Sequence, residues 1–337
     1  MNILVYDIAA EEGGAVSVLK AFYEQHKRDK QNRYVYLLST YHLEETDNIT
    51  VVNVPQIKKS WFHRLAFDNF GAKKYIKAYQ IDEVLSLQNM HLPCFKGKQT
   101  IYVHNALPFC EHKFSFKENK KMWIYQNVIG SMMKKSIKKA DSVIVQTEWM
   151  KQAIAAGDTR ILEKTQVQFP PVITIGEGEY SPTAPTCDFF YPASAETFKN
   201  HKLLFEALKL LQAQGVEGYS VTLTLTGEET PAIAELKKEA DEHALPVVWA
   251  GKMPHEKVYE YYRKSILVFP SYIETVGLPI YEAMRCNTPL ILADCTYTKG
   301  IKEVYQKVKY FGYTDAEALA MLMKEEVLAY GRSKNDK

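Results

Sequence analysis

The sequence has few cysteines, and they are widely spaced. Its 337 residues include five, none of them in a Cys-x-x-Cys pair: Cys94, Cys110, Cys187, Cys286 and Cys295. Structural zinc sites and disulfide-rich secreted domains both need closely spaced or paired cysteines. The distribution therefore argues against either class and is typical of reduced thiols in the cytosol.

An excess of charge and a long apolar run are also missing. The formal net charge is only +2, which argues against nucleic acid as a partner. No apolar run approaches the roughly 18 residues of a membrane-spanning helix. The first ten residues, MNILVYDIAA, lack the basic leader of a signal peptide. We therefore expect a cytoplasmic protein.

The sequence does contain short apolar stretches that alternate with amphipathic ones. Residues 15–25 and 202–214 place apolar side chains three and four positions apart, which predicts helices. Strands that alternate with helices predict an α/β fold with parallel sheets covered on both faces. The predicted strands are Ile3–Tyr6, Tyr34–Leu38, Val84–Leu87, Ile101–Val103, Ser142–Val145, Asp188–Tyr191, Val221–Leu225, Val247–Ala250, Ile266–Phe269 and Leu290–Leu292.

A proline-rich stretch interrupts this alternation near the middle of the chain. Residues 167–186 hold four prolines and show no helical period, so they are typical of a linker. The sequence thus predicts an N-terminal domain, a linker, a C-terminal domain and a final helix that could pack back on the N-terminal domain. Their predicted ranges are 1–168, 169–186, 187–313 and 314–337.

Two glutamates flank a glycine in the stretch PSYIETVGLPIYEAM, residues 270–284. Pro279 suits the first turn of a helix, because the amide hydrogen that it lacks would be unpaired there. The backbone amides of residues 276–278 would then lie at a helix N-terminus, which can bind an anion such as phosphate. Gly277 would let the phosphate approach without a side chain in the way.

The two glutamates fit the remaining parts of a nucleoside diphosphate sugar. Glu282, on the first turn of the predicted helix, could bind the ribose hydroxyls, and Glu274, on the preceding loop, could bind the sugar. The alternative is that both acids only stabilise a helix N-terminus, where a negative charge contributes about 0.3–1 kcal/mol.

Residues 270–289 resemble the Glu-(seven residues)-Glu signature of the retaining nucleotide-sugar glycosyltransferases of family 4, which have the GT-B fold. The matching residues are Pro270-Ser271, Glu274, Gly277-Leu278-Pro279, Glu282-Ala283-Met284 and Thr288-Pro289. The resemblance implies two Rossmann-like domains that face each other across a cleft. It also implies a donor site that includes Thr275, Val276, Gly277, Leu278 and Glu282.

Other stretches resemble further parts of this family. By that resemblance Lys199, Glu274 and His104 would be the catalytic residues, with Lys199 near the departing diphosphate and His104 facing the sugar or the acceptor. Gly13 and Gly14 would contact the diphosphate from the N-terminal domain. The remaining donor-binding residues would be Gly227, Gly251 and Met253.

One position departs from the family pattern. The family has an arginine five positions before the lysine, and Ser194 stands there in this chain. A leaving diphosphate needs positive charge nearby, so this departure puts the strength of the donor site in question. Lys202 or His201 could compensate, or the helix N-terminus could carry more of the charge.

The resemblance implies transfer of a sugar from a nucleoside diphosphate to an acceptor hydroxyl, with retention of configuration. No Asp-x-Asp motif is seen, and we expect neither a metal nor another cofactor. The implied setting is the assembly of surface polysaccharide or lipopolysaccharide. Two alternatives stay open: a catalytically inactive nucleotide-sugar-binding subunit and a nucleotide-sugar epimerase of the same fold.

Two segments combine lysines with aromatic residues. Lys58–Tyr79 has six Lys or Arg against one Asp, and Lys113–Tyr125 has four Lys against one Glu. Basic residues interleaved with Trp and Phe suit an anionic membrane surface. These segments predict peripheral contact with the inner face of the cell membrane, where the acceptor would be a saccharide or a lipid-linked saccharide. The alternative is a solvated charged face over buried aromatics.

Overall fold

The protein divides into two compact units. The computed structural model describes residues 1–11, 13–170, 172, 176 and 178–335. The N-terminal unit is Met1–Pro171, and the C-terminal unit is Val172–Lys337. The boundary falls within the predicted linker 169–186, part of which lies outside the described residues.

Seven parallel strands form the sheet of the N-terminal unit, in the order β3-β2-β1-β4-β5-β6-β7. The chain starts at the centre, builds one half of the sheet, and then returns to build the other half. Ligands of such sheets bind at the point between the two halves, which here lies between β1 and β4. The strands are β1 (Asn2–Asp7), β2 (Arg33–Leu38), β3 (Ile49–Asn53), β4 (Glu83–Ser86), β5 (Lys98–Val103), β6 (Ser142–Val145) and β7 (Thr165–Val167).

Helices cover both faces of this sheet, as the continuous apolar strands require. Along β1, Leu4 and Tyr6 join one buried cluster, whereas Val5 between them joins the other. Because side chains alternate along a strand, each strand supplies both cores. The helices are α1 (Gly13–Lys27), α2 (Trp61–Ala66), α3 (Lys73–Ala78), α4 (Lys120–Ile124), α5 (Gly130–Lys139), α6 (Glu148–Ala155) and α7 (Thr159–Glu163), with π-helical turns at Phe67–Gly71 and Tyr125–Ile129.

The C-terminal unit repeats the plan with six parallel strands in the order β10-β9-β8-β11-β12-β13. Its switch point lies between β8 and β11. The strands are β8 (Cys187–Tyr191), β9 (Tyr219–Leu223), β10 (Val247–Trp249), β11 (Ile266–Phe269), β12 (Leu290–Ala293) and β13 (Val308–Phe311). The helices are α8 (His201–Ala213), α9 (Pro231–Glu242), α10 (His255–Lys264), α11 (Leu278–Arg285), α12 (Ile301–Val304) and α13 (Ala316–Asn335).

All ten predicted strands are present, but β3, β7 and β13 were not predicted. Each of the three lies at an edge of its sheet. Edge strands are paired on one side only and are less buried, so their sequences carry a weaker apolar signal. In β7, for example, Gln166 and Val167 are exposed.

The last helix, α13, was predicted from residue 314 onwards. Its first turn is held by Asp315, whose Oδ1 accepts a hydrogen bond from the Ala318 amide at 2.9 Å. The helix packs on α8 and on the strands β8, β12 and β13 of its own unit. In the part of the chain that the structure describes, no helix is both long and apolar enough to cross a membrane.

Candidate active site

The switch point of the C-terminal sheet brings together the two residues with the strongest sequence signals. Lys199 follows β8 and Glu274 follows β11, and these strands are neighbours. The Lys199 Nζ lies 2.5 Å from Oε1 of Glu274, with 16% and 14% of the two side chains exposed. Ser271 Oγ donates to the same carboxylate oxygen at 2.8 Å. The structure therefore places a shielded cation and a shielded carboxylate at this edge.

Backbone contacts hold the two loops against each other. The Tyr272 amide donates to the Phe198 carbonyl at 3.0 Å, which joins the β11 loop to the short turn that ends at Lys199. Tyr191, at the end of β8, donates its hydroxyl to the Lys199 carbonyl at 2.6 Å. Lys199 is thus fixed at its backbone as well as at its ammonium group.

Asn200 ties a third loop to this pair. Its φ of +60° lies in the left-handed region, which asparagine tolerates better than most residues. The side-chain amide donates to the Pro270 carbonyl at 3.3 Å and to the Tyr313 carbonyl at 2.8 Å. The loops after β8, β11 and β13 are therefore joined by one side chain.

The helix after β11 begins as the sequence predicts. Gly277 caps α11 with a φ of +73°, and Pro279 occupies the first turn. A β-carbon at Gly277 would approach Ile280 Cδ1 and Tyr297 Cε2 to 3.2 Å. Glycine is favoured there by the backbone conformation, and any side chain would press against these two neighbours. Thr275, Val276 and Leu278 lie on either side of it, at the helix N-terminus.

Glu282 lies slightly further along α11 than predicted. The helix starts at Leu278, so Glu282 belongs to its second turn rather than its first, and the amide-rich end is further away. The carboxylate is buried, and its Oε2 accepts a hydrogen bond from the Tyr262 hydroxyl at 2.9 Å. Burial raises the pKa of Glu282, while the Tyr262 bond opposes that shift. Tyr262, which the sequence did not single out, orients this carboxylate.

The residue in place of the family arginine makes a different contact. The Ser194 carbonyl accepts a hydrogen bond from His201 Nε2 at 2.9 Å. Burial lowers the pKa of His201 to about 4. The side chain is therefore neutral near pH 7 and supplies no substitute cation. Lys202, the other candidate, is exposed and lies 3.8 Å from Glu206 on the next turn of α8.

Gly227 has an internal partner. Its φ is +92°, and its amide donates to Glu229 Oε2 at 3.1 Å, while the Thr226 amide donates to Oε1 at 2.6 Å. Desolvation raises the pKa of the exposed Glu229 carboxylate, but these hydrogen bonds together outweigh it and the pKa is lowered. A nucleotide contact at Gly227 stays a prediction, and it would use a surface other than this amide or displace Glu229.

Gly251 and Met253 follow β10. The Gly251 amide donates to the Leu225 carbonyl at 3.0 Å, and its φ is +71°. This bond joins the loops after β9 and β10. Met253 is partly buried in the same loop. Both residues are at the carboxyl edge of the sheet, where the sequence placed them, and their roles stay predictions.

The three remaining predicted residues lie in the N-terminal unit. Gly13 and Gly14 are the first two residues of α1, and a β-carbon at Gly14 would meet no heavy atom within 4 Å. His104 follows β5 and donates its Nε2 hydrogen to the Leu87 carbonyl at 3.0 Å. Burial lowers the pKa of His104 to about 4. His104 is therefore neutral near pH 7, with Nδ1 as its remaining hydrogen-bond acceptor.

Sequence reasoning missed a charged group at the switch point of the N-terminal sheet. Asp7 ends β1, is buried, and accepts a hydrogen bond from the Ala10 amide at 3.2 Å. Burial raises the pKa of Asp7 to about 6, although backbone amides, Arg64 and Lys58 act in the opposite direction. A carboxylate directly after the apolar run of β1 was the available signal.

Residues 186–327 match the family model described as "Glycosyl transferases group 1". For this part of the chain, the match confirms the resemblance to glycosyltransferases, while membership of family 4 and retention of configuration stay predictions. The matched part includes Lys199, the Glu274 loop and α11.

A curated relative is the "O-antigen chain mannosyltransferase B" of Escherichia coli. The identity is 30% over 108 residues, which are 32% of this chain and 28% of the relative. The chain thus matches little more than a quarter of that protein.

Solved structures agree over nearly the whole chain. "WaaG, a glycosyltransferase involved in lipopolysaccharide biosynthesis" has a TM-score of 0.68 and 11% identity, with 97% of this chain and 90% of that chain covered. Anabaena HepE "in complex with UDP and glucose" has a TM-score of 0.65 and 17% identity, with 96% and 89% covered. At this identity the likeness concerns the fold alone, and it confirms the predicted GT-B class.

Proposed function

We propose that this chain is a retaining glycosyltransferase that moves a hexose-type sugar from a nucleoside diphosphate to an acceptor hydroxyl. The observation that carries the proposal is the Lys199–Glu274 pair at the sheet edge, in a segment that matches the glycosyltransferase family. The neighbouring N-terminus of α11 adds an anion site. A cation, a carboxylate and a helix N-terminus are the groups that a phosphate joined to a sugar needs.

In this proposal, Lys199 serves the leaving group. When the bond between the sugar and the diphosphate breaks, negative charge develops on the phosphate oxygens, and a fixed cation stabilises it. The amides of residues 276–278 would share that charge. Because neither His201 nor Lys202 replaces the missing arginine, this chain would depend on Lys199 and α11 more than its relatives do. The acceptor oxygen would bond to the anomeric carbon on the face from which the diphosphate leaves, as the bond to the phosphate oxygen breaks and that oxygen takes the acceptor proton. The configuration would then be retained.

Glu274 would bind the donor sugar and Glu282 the ribose. Glu274 Oε1 already accepts from Lys199 and Ser271, so its other oxygen is the one that would accept a sugar hydroxyl. At Glu282, Tyr262 holds Oε2 in place, so Oε1 is the atom assigned to the ribose. Fixing one oxygen of a carboxylate orients the other, which reduces the entropy lost on binding.

The names of similar proteins support an acceptor class. One is called an O-antigen chain mannosyltransferase and another is involved in lipopolysaccharide biosynthesis. We therefore propose that the acceptor is a saccharide or lipid-linked saccharide of a surface polysaccharide, modified at the cytoplasmic face of the membrane. The donor phosphates would be neutralised by protein groups and not by a metal. Addition of EDTA should then leave the transfer rate unchanged.

The first test is calorimetric titration with UDP, GDP, ADP and dTDP. One of them should bind with a Kd in the micromolar range, about −8 kcal/mol, and Glu282→Ala should abolish that binding. Circular dichroism of the variant would show whether it folds. Transfer is then assayed with the matching nucleotide sugars and acceptor lipid extract, with the anomeric configuration of the product read by NMR. Absence of binding by all four nucleotides would contradict the proposed donor site.

An inactive nucleotide-sugar-binding subunit is the second candidate. The observation in its favour is that Ser194 replaces the arginine of the family pattern and that the neighbouring His201 is neutral. The phosphate site therefore has one positive charge fewer than the family pattern. Such a subunit would bind the nucleotide but leave its sugar unchanged with every acceptor. An epimerase would differ from both, because it would convert the donor without any acceptor.

A further inference from the structure

The first basic segment exposes aromatic side chains to solvent. Trp61, Phe62 and Phe70, in α2 and the π-helical turn that follows it, are 51%, 81% and 71% exposed. Burial of such side chains is favourable by about 1.5–3 kcal/mol each. Three of them exposed within ten residues therefore indicate a surface that is covered by something else in the working protein.

Lysines surround these aromatics. Lys59, Lys73, Lys74 and Lys77 are all exposed, and the Lys73 ammonium lies 5.5 Å from the centre of the Phe70 ring. We call Trp61, Phe62, Phe70 and these four lysines the docking face. Its segment, residues 58–79, contains one acid, Asp68, which is turned inward and bonded to the Tyr6 hydroxyl.

The opposite side of the segment is fixed to the sheet. Arg64 Nη2 donates to Gln88 Oε1 at 2.7 Å, just beyond β4. Phe67 and Ala72 are buried in the core under the same helices. The aromatics of the docking face therefore belong to an anchored element, so their exposure does not come from a frayed helix. The structure presents them outward and holds them there.

We propose that the docking face binds the surface of an anionic lipid bilayer. Trp and Phe beside lysines are the composition of helices that lie in a membrane interface, with the rings among the lipid head groups and the ammonium groups on the phosphates. A second copy of the chain is a poorer occupant, because the face would meet the same lysines and repel them. An anionic membrane offers an apolar interior edge for the aromatic side chains and negative charge for the lysines of the docking face.

The second basic segment fits this role less well. Phe116 packs edge-on against Trp123 with ring centres 5.3 Å apart, and the Lys120 ammonium lies 5.5 Å from the Phe116 ring. Its aromatics are thus partly engaged with each other. We assign the membrane contact to the docking face and give residues 113–125 at most a supporting part.

This inference deepens the proposed function, since an acceptor held in a membrane would be approached through such a face. Membrane binding is tested without a sugar-transfer assay, so the membrane inference and the proposed function can fail separately. Full-length protein is sedimented with vesicles of phosphatidylcholine, with or without phosphatidylglycerol. The variants are Trp61→Ser/Phe62→Ser/Phe70→Ser and Lys59→Gln/Lys73→Gln/Lys74→Gln/Lys77→Gln. The control, Val248→Ser/Met321→Ser/Leu328→Ser, removes exposed apolar residues of the C-terminal unit.

The wild type and the control should bind only the vesicles that contain phosphatidylglycerol. The aromatic variant should bind about tenfold more weakly, and the lysine variant roughly 100-fold more weakly. Phe116→Ser should change binding less than Phe62→Ser. Circular dichroism and nucleotide titration of each variant would show that it folds.

Two results would overturn the inference. One is a wild type that stays in the supernatant with anionic vesicles at low salt. The other is a folded aromatic variant that binds them as tightly as the wild type does. A wild-type dimer that the aromatic variant breaks, without vesicle binding, would assign the docking face to self-association instead.

Discussion

The Lys199 ammonium and the Glu274 carboxylate lie 2.5 Å apart although 75 residues separate them in the chain. They meet because β8 and β11 are neighbours in the sheet, so that the loops after these strands emerge at the same edge. The pair holds a cation next to an anion at this edge of the sheet. In the proposed function, the phosphate of the substrate would bind the Lys199 ammonium and its sugar would bind the Glu274 carboxylate.

Replacement of Lys199 by Met should lower the transfer rate by about 10²–10³, because the departing phosphate loses its closest cation. Steady-state rates of product formation would measure this. The matched control is Lys202→Met, which removes an exposed lysine three residues further on. A Lys199→Met enzyme with normal kcat would remove this residue from the mechanism.

Replacement of Tyr262 by Phe should weaken nucleotide binding by about fivefold to tenfold. The Tyr262 hydroxyl donates a hydrogen bond to Glu282 Oε2, so its loss removes the bond that orients this carboxylate. Calorimetric titration gives the affinity, and Tyr219→Phe, a buried tyrosine of β9, is the control. Unchanged affinity in Tyr262→Phe would argue against the ribose role of Glu282.

Gly277→Ala should reduce both stability and nucleotide affinity. Its positive φ alone costs an alanine roughly 1–2 kcal/mol, and the added carbon presses on Ile280 and Tyr297. Gly300→Ala is a close control, because its φ is +87° and a β-carbon there meets nothing within 4 Å. Chemical unfolding should show a smaller loss for Gly300→Ala. Its nucleotide affinity should equal that of the wild type.

Asp7 should make stability depend on pH. Its pKa is raised by burial from 3.8 to about 6 in the folded protein, so folding favours the protonated form. Burial of the charged carboxylate therefore destabilises the folded wild type fully above pH 6, and this destabilisation disappears as the pH falls towards 4. The free energy of unfolding should change by roughly 3 kcal/mol over this range, because each pKa unit corresponds to 1.36 kcal/mol.

The measurement for Asp7 compares denaturant unfolding of the wild type and Asp7→Asn across that pH range. Asparagine can still accept the Ala10 amide hydrogen without a charge. The variant should be the more stable protein above pH 6, and its advantage should shrink on acidification. A constant difference between the two proteins would show that Asp7 does not titrate in this window.

The central strands and the Glu274 loop were predictable because their signals are local. The strands β1, β8 and β11 are short apolar runs. The start of a helix is predicted by the sequence Gly277-Leu278-Pro279. The start of α11 at Leu278 places Glu282 in the second turn rather than in the predicted first turn, since a proline fits more than one position of a first turn.

The contacts that orient the site were not predictable, because they join residues far apart in the chain. Tyr262 reaches Glu282 from α10, and Arg64 reaches Gln88 across the sheet edge. Nothing in either sequence neighbourhood marks these pairs. The neutral state of His201 likewise follows from burial, which depends on how α8 packs under its loop.

Asn200 has a consequence for how the site can respond to a ligand. The Asn200 amide is hydrogen-bonded to the Pro270 and Tyr313 carbonyls, and its backbone directly follows Lys199, so three loops are linked to one another. Linked loops would close little around a substrate, but they would also lose little conformational freedom when it binds. Recognition at this edge would therefore be that of a template with fixed spacings, and a donor of the wrong length would be rejected by geometry.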